Sequence, residues 1–356
     1  MFAWLPDHKC SVDIPRSRFR VSAQGNLSPQ ESHDRFGVSE ISVEWVSSGL
    51  QGEETVIEVH FGDNLSVIRG LPDESFDLIY IDPPFNTGKV QSRTQIQTVQ
   101  DATGDRVGFQ GKRYRTVQIG SKAYSDSFDD YLAFLEPRLE ESLRLLKPHG
   151  SFFFHIDYRE VHYCKVLLDS IFGRDSFLNE IIWAYDYGAR ATKRWSPKHD
   201  NILWYAKNPK SYTYRYEDID RIPYMAPGLV GPEKAERGKT PTDTWWNTIV
   251  SPNGKEKTGY PTQKPLAIIN RIVRVHTNPG DRVLDFFAGS GTTGESAIAC
   301  GRNAVLVDNN PDAIAVMKRR FAKVSAVQYF GCDDIGMAES RETSADDPKK
   351  QQTTLF

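Results

Sequence analysis

Apolar residues recur along the chain in two spacings, and the switch between them predicts alternating strands and helices. Val56–Phe61 is a short apolar run closed by Gly62-Asp63-Asn64, expected as the first strand, with a short helix through Ser66–Gly70. Phe76–Ile81 is too short for a helix and is closed by Pro83-Pro84, so a buried strand is expected. In Tyr131–Leu146, leucines at 132, 135, 139, 143 and 146 recur every three or four residues and form one stripe of a helix that Pro148 and Gly150 end. Ser151–Ile156 predicts another buried strand and Val161–Ile171 another helix. Glu180–Ala184 and Asn201–Ala206 are strand-like and are expected to form an antiparallel hairpin. Leu266–Val275 returns to helical spacing, followed by strand Arg282–Phe286, helix Thr293–Ala299, strand Ala304–Val307 and helix Asp312–Phe321. Strands alternating with helices imply a doubly wound α/β fold with a mostly parallel sheet.

Four stretches lack this periodicity. Residues 1–53 are expected as a loosely ordered N-terminal arm, Gly88–Gly120 as a long loop, 208–259 as an irregular insertion, and 326–356 as a flexible tail. The regular segments then form one domain over 54–207 and 260–325.

Composition narrows the class. With 39% apolar and 26% charged residues and a formal charge of −3, the chain reads as soluble and globular. No run of 18 apolar residues occurs and the start lacks a long apolar stretch, so neither a membrane span nor a secretory signal is expected. Cys10, Cys164, Cys300 and Cys332 form no C-x-x-C pair, which fits a reducing cytoplasm and argues against a cysteine zinc site. His155 and His162 lack further ligands at metal spacing, and no metal is expected. Basic residues concentrate in Lys89–Lys122 and Gly188–Arg215, and acidic ones in Glu31–Glu58 and Asp333–Asp347.

Two motifs carry chemistry. Asp285-Phe286-Phe287-Ala288-Gly289-Ser290-Gly291-Thr292-Thr293 follows a strand and opens a helix. Glycines let backbone approach a ligand, and a helix start offers free N–H groups. Asp308, about twenty residues on, ends the next strand, where a carboxylate takes the ribose hydroxyls of a nucleoside cofactor. The third glycine of a dinucleotide fingerprint is absent, as is any G-x-x-x-x-G-K, which lowers hydride transfer and ATP hydrolysis. The second motif, Asp82-Pro83-Pro84-Phe85, lies at the carboxyl end of a buried strand, where open α/β sheets bind ligands. A carboxylate, a prolyl carbonyl and an aromatic face suit a planar amine held between two acceptors.

Together, D-P-P-F and F-x-G-S-G-T-T resemble the amino-methylating DNA methyltransferases that use S-adenosylmethionine. The catalytic motif precedes the cofactor motif, which is similar to the circularly permuted β class. The resemblance covers roughly residues 56–322. It implies a Rossmann-like methyltransferase sheet in which Asp82, Pro83, Pro84 and Phe85 hold the target amine. It implies that Asp285, Phe287, Ala288, Gly289, Ser290, Gly291, Thr292 and Asp308 hold the cofactor. Phe61-Gly62-Asp63 looks like the strand-end acid near the cofactor adenine. Tyr260-Pro261-Thr262-Gln263-Lys264-Pro265 looks like the segment near its methionine carboxylate, so Asp63 and Lys264 are expected to assist. His199–Trp204 resembles the strand that helps build the base pocket, and 208–259 occupies the place of target recognition. Phe85 departs from the commoner Tyr, keeping the stacking face and losing a hydroxyl.

Methylation at cytosine C5 needs a cysteine after a proline, which no cysteine here satisfies; Cys164 and Cys300 read as core. The D-P-P form leans to adenine N6, with cytosine N4 as the alternative. An RNA or protein amine and an inactive clamp-tethered DNA reader are the remaining rivals. Double-stranded DNA is the expected partner, with Arg93, Lys112, Arg113, Arg115, Arg190, Lys193 and Arg194 as candidate phosphate contacts. Trp245 and Trp246 read as packing. Gln352-Thr353-Thr354-Leu355-Phe356 resembles the Q-x-x-L-F peptide that docks on the bacterial sliding clamp through Gln352, Leu355 and Phe356. A cognate restriction enzyme and a homodimer are further partners the resemblance suggests.

Overall fold

The computed structural model describes residues 55–86, 89–100, 106–107, 113–126, 128, 130–251, 254–333 and 335. The N-terminal arm, Lys112, and the clamp-like residues Gln352, Leu355 and Phe356 lie outside them. The elements in chain order are β1 (Ile57–Phe61), α1 (Asn64–Arg69), β2 (Phe76–Ile81), β3 (Lys89–Gln100), β4 (Arg106–Val107), β5 (Arg113–Asp126) and α2 (Tyr131–Leu145). Then come β6 (Leu146–Asp157), α3 (Val161–Phe172), β7 (Phe177–Ala184), β8 (His199–Ala206), α4 (Pro232–Arg237) and β9 (Thr244–Trp246). The last are α5 (Leu266–His276), β10 (Arg282–Asp285), α6 (Thr292–Cys300), β11 (Asn303–Asp308), α7 (Pro311–Arg320) and β12 (Val327–Phe330).

Among the described residues the main sheet has nine strands in the order β12-β1-β11-β10-β2-β6-β8-β7-β9. The strands from β12 to β6 run parallel, β8 is antiparallel to β6 and β7, and β9 is parallel to β7. Successive residues of the central strands bury on opposite faces. Leu78 and Tyr80 join Phe153, Val283 and Leu306 in one core with α5, α6 and α7. Ile79 and Ile81 join Phe152, Phe154, Leu284 and Val305 in the other with α1, α2 and α3. This two-sided burial explains why these strands read as continuous apolar runs.

Two expectations are corrected. The stretch expected as a long loop is largely a hairpin: β3 and β5 pair antiparallel from Lys89↔Asp126 to Gln100↔Tyr114, with β4 as a third strand. Its strands are rich in Gln, Thr, Ser and Arg, so no hydrophobic alternation marks them. The tail expected from 326 begins later, because Val327–Phe330 pairs with β1 and Cys332 beyond it is buried. The 208–259 insertion is anchored by β9 on β7 and by Tyr212, Trp245 and Ile249 against the core. Trp246 is exposed. Among the described residues no helix is long and apolar enough to cross a membrane.

Candidate active site

Both motifs sit at the carboxyl ends of adjacent parallel strands, β2 and β10. Beyond those ends lies a cavity of about 550 Å³ lined by Asp82, Pro83, Pro84, Phe85, Lys264, Asp285, Phe287, Ala288, Gly289, Ser290, Thr292 and Asp308. A second cavity of about 420 Å³ is bounded by Asp157, Trp183, Tyr185, Asp200 and Lys257. Phe85, Tyr260, Thr262, Gln263 and Lys264 line both, so the two share a wall.

The glycine turn is held by two carboxylates, Asp285, which is buried, and Asp308, which is half-buried. Asp285 accepts from Phe287 N (3.0 Å) and Thr293 Oγ1 (2.6 Å). Asp308 accepts from Gly289 N (2.7 Å) and Asn310 N (2.8 Å). Burial pushes Asp285 up to about 7, with the charges of Asp82 and Asp308 adding to it. Burial likewise pushes Asp308 up to about 6. Gly291 has φ +75°, and a Cβ there would lie 2.7 Å from Met317 Cγ, so the turn needs glycine for both conformation and space. Arg138 stacks over Phe134, which lines the larger cavity, and donates to Asn64 Oδ1, whose amide in turn donates to the Phe286 carbonyl.

Around the proline motif, Tyr131 Oη donates to the Pro84 carbonyl (2.6 Å), and Asn86 bonds Glu160 and the Phe128 N–H. Asp82 Oδ2 accepts from Lys264 Nζ, while its Oδ1 is buried with no hydrogen-bond partner among the described residues. Behind it, His155 is fully buried, 2.8 Å from Tyr80 Oη, 3.3 Å from Asp200 Oδ2 and 3.8 Å from Asp82 Oδ1. Tyr185 Oη donates to the other Asp200 oxygen (3.1 Å). Burial pushes the Asp200 carboxyl up, but hydrogen bonding with His155 and the charges of His155 and Lys264 outweigh it and leave it below the usual carboxylate value. Thr262 adopts φ +56°, an uncommon conformation for a β-branched residue, in the wall between the cavities.

Residues 76–319 match the family model of the N6/N4 methyltransferases, described as DNA methylase. The chain belongs to this family of S-adenosylmethionine-dependent amino-methyltransferases. It is 30% identical over 271 residues to the Type II methyltransferase M.HpaI of Haemophilus parainfluenzae, covering 76% of this chain and 74% of that protein. It is 28% identical to the DNA adenine methyltransferase YhdJ of Escherichia coli K12, covering 82% of this chain and 90% of that one. The fold is shared with the PvuII DNA methyltransferase (cytosine-N4-specific), at a TM-score of 0.51 and 18% identity over 77% of this chain and 90% of that one.

In this methylase the structure brings most of the residues singled out in the sequence to one cavity, with two exceptions. Asp63 caps α1, accepting from Ser66 N, pairs with Arg138, and is half exposed outside the cavity lining. Gly291 packs on Met317 and Phe321 behind the turn. Of the His199–Trp204 strand, Asp200 lines the second cavity. The DNA candidates fall elsewhere. Arg93 lies in β3, and Arg113 and Arg115 are exposed on β5. Arg190, Lys193 and Arg194 are exposed in the loop joining β7 to β8, where Arg190 pairs with Asp186. That loop leaves the sheet beside the second cavity and carries Trp195, which is 97% exposed.

Sequence reasoning missed Tyr80, Phe134, His155, Asp157, Trp183 and Tyr185. Phe134 lies on α2, and the only local signal of the other five is a position within or just past a strand end. Cys164 is buried and its thiol is pushed up to about 12 by that burial, so it supplies no thiolate near neutral pH.

The larger cavity fits S-adenosylmethionine in its donor set. It offers backbone at the glycine turn, the Asp308 carboxylate, aromatic rings from Phe134 and Phe287, and the cationic side chain of Lys264.

Proposed function

We propose that this methylase modifies adenine N6 in double-stranded DNA at a defined sequence, on a base flipped out of the duplex. The observation that carries the reading is that Asp82-Pro83-Pro84-Phe85 lines the larger cavity and ends at Phe85, which lines both cavities. One cavity has the donors for a nucleoside cofactor; the other has aromatic walls, Trp183 and Tyr185, and polar groups, Asp157 and Asp200, suited to a base edge. A base inside a duplex cannot reach such a pocket, so it must leave the stack.

Asp285, Phe287, Ala288, Gly289, Ser290, Gly291, Thr292 and Asp308 would hold the cofactor, with Asp308 toward the ribose hydroxyls and Lys264 toward the carboxylate. When bound, S-adenosylmethionine supplies an electrophilic sulfonium methyl. The exocyclic amine is a poor nucleophile because its lone pair is delocalised into the ring. Asp82 and the Pro83 carbonyl accept its N–H bonds and favour a tetrahedral nitrogen whose lone pair points across the junction, and Pro84 fixes the turn. Phe85 stacks on the base. The nitrogen loses one N–H proton toward Asp82 after taking the methyl. Oriented acceptors of this kind stabilise charge as it develops on nitrogen, and holding the reactants at attack distance supplies much of the rate.

Asp at position 82 favours adenine over cytosine, in keeping with the adenine methyltransferase among the relatives. Arg93, Lys112, Arg113 and Arg115 of the hairpin region and Arg190, Lys193 and Arg194 of the β7–β8 loop are the proposed phosphate contacts.

Long-read sequencing of host DNA from cells expressing wild type or Asp82→Ala tests the reading. The expected result is N6-methyladenine in one motif, present only with wild type. N4-methylcytosine in that motif would reassign the base. An unmodified genome, with wild-type protein that binds S-adenosylmethionine, would overturn DNA methylation.

A further inference from the structure

Lys264 stands where the target amine has to bind. Its ammonium donates to Asp82 Oδ2 and lies 5.0 Å from the centroid of the Phe85 ring. Those are the two groups the proposed function assigns to the flipped base: a carboxylate to accept an N–H and a face to stack on. A lysine ammonium and an exocyclic amine are both donors, and at Asp82 Oδ2, beside the Phe85 face, they compete for the same space. The pair is largely desolvated, with side-chain exposures of 11% for Lys264 and 16% for Asp82. Removing the ammonium without a replacement would leave Asp82 as a buried, unpaired charge. Among the described residues, Asp82 Oδ1 is already without a hydrogen-bond partner.

Lys264 also has another anion to go to. Among the described residues it is the single Lys or Arg lining the larger cavity, which carries three carboxylates, Asp82, Asp285 and Asp308. An α-carboxylate entering that cavity finds one cation. The lysine is anchored for such an exchange at its backbone, since Thr292 at the start of α6 donates to the Lys264 carbonyl (3.4 Å), and Thr262 two residues before it has φ +56°.

We propose that Lys264 is a positioning residue that masks Asp82 until the carboxylate of the cofactor draws it away, so that capture of the amine waits for the cofactor. This rests on the assignment of S-adenosylmethionine to the larger cavity. It makes the wall between the two cavities a coupling element, and it predicts an order of binding in which cofactor precedes base.

The test is calorimetry on the full chain with two probes. S-adenosylhomocysteine carries the amino-acid carboxylate, and 5′-methylthioadenosine lacks it. Asp82→Asn frees Lys264, and is expected to tighten S-adenosylhomocysteine by about 5-fold or more, the lower end of ordinary coupling between sites. It should leave 5′-methylthioadenosine unchanged. Lys264→Met should weaken S-adenosylhomocysteine and abolish the gain from Asp82→Asn, while Lys264→Arg retains it. A gain equal for both probes, a gain that survives in Lys264→Met, or no gain overturns the proposal. A measurement free of variants is a crystal structure of the wild type with S-adenosylhomocysteine. Lys264 Nζ should lie on the ligand carboxylate; Nζ still on Asp82 overturns the exchange. Wild type that binds neither probe would instead remove the cofactor assignment itself.

Discussion

Asp308 uses one carboxylate oxygen to hold Gly289 N and the other to hold Asn310 N, so it both shapes the glycine turn and faces the cavity. Its pKa, raised to about 6 by burial, has two consequences of opposite sign. In the free protein the raised value contributes stability that is full below the ordinary 3.8 and is lost as pH rises through about 6. The proposed contact of Asp308 with ribose hydroxyls is strongest in the ionised form, so affinity for S-adenosylhomocysteine should climb toward neutrality, by at most about 10-fold per pH unit below the pKa. Calorimetry between pH 5 and 8 should show that rise in wild type and a flat, weaker profile in Asp308→Asn. A wild-type profile as flat as the variant's would remove Asp308 from the cofactor contact. Asp308 was legible in the sequence because a strand end fixes where its side chain goes. His155 and Tyr185 were not, because their roles depend on Asp82 and Asp200, and no local pattern joins residues contributed by separate strands.

At the level of elements, strands buried on both faces were legible and strands of polar composition were not. β2 matched its expected bounds residue for residue, since Phe76–Ile81 is wholly apolar apart from Asp77. The β3–β5 hairpin was misread as a loop, because register there is set by backbone pairing over polar residues. The β7–β8 loop has the reverse character: irregular backbone, but a defined place beside the second cavity. Lys193 and Arg194 are exposed there and pair with no carboxylate among the described residues, and Trp195 presents an indole to solvent. If this loop meets DNA, Lys193→Ala with Arg194→Ala should weaken binding on all duplexes alike and reduce the salt slope by about two. An unchanged slope in a salt titration would place the DNA elsewhere.

At the scale of the molecule, the sheet order makes one site out of distant sequence. β2 and β10 are neighbours, which sets Asp82 beside Asp285, and the segment before α5 brings Lys264 onto Asp82 although 182 residues separate them. Fold class followed from the alternation of element types, and the site followed from two contiguous motifs; the wall joining the cavities needed the sheet itself. The tail is a separate matter, since a short peptide can act without the fold. Deleting Gln352–Phe356 should abolish capture on an immobilised bacterial sliding clamp and leave methylation of naked DNA within about 2-fold, as expected when a tethering peptide lies outside the catalytic machinery. Clamp capture that survives the deletion would sink that reading.

The place of β1 has a consequence for how the chain is made. β1 is an inner strand, yet both of its partners, β11 and β12, are synthesised long after it. Val56 and Asn303, which are hydrogen-bonded in the finished protein, are 247 positions apart. At about 5–20 residues per second, β1 waits roughly 12 to 50 seconds on the ribosome with both edges open. The nascent chain therefore carries an unpaired apolar strand through most of its synthesis, and a ribosome that stalls before β11 releases a product whose sheet cannot close. Such fragments are natural clients for chaperones and proteases, and a split of the chain in its middle would have to reassemble by threading β1 between two strands of the other piece.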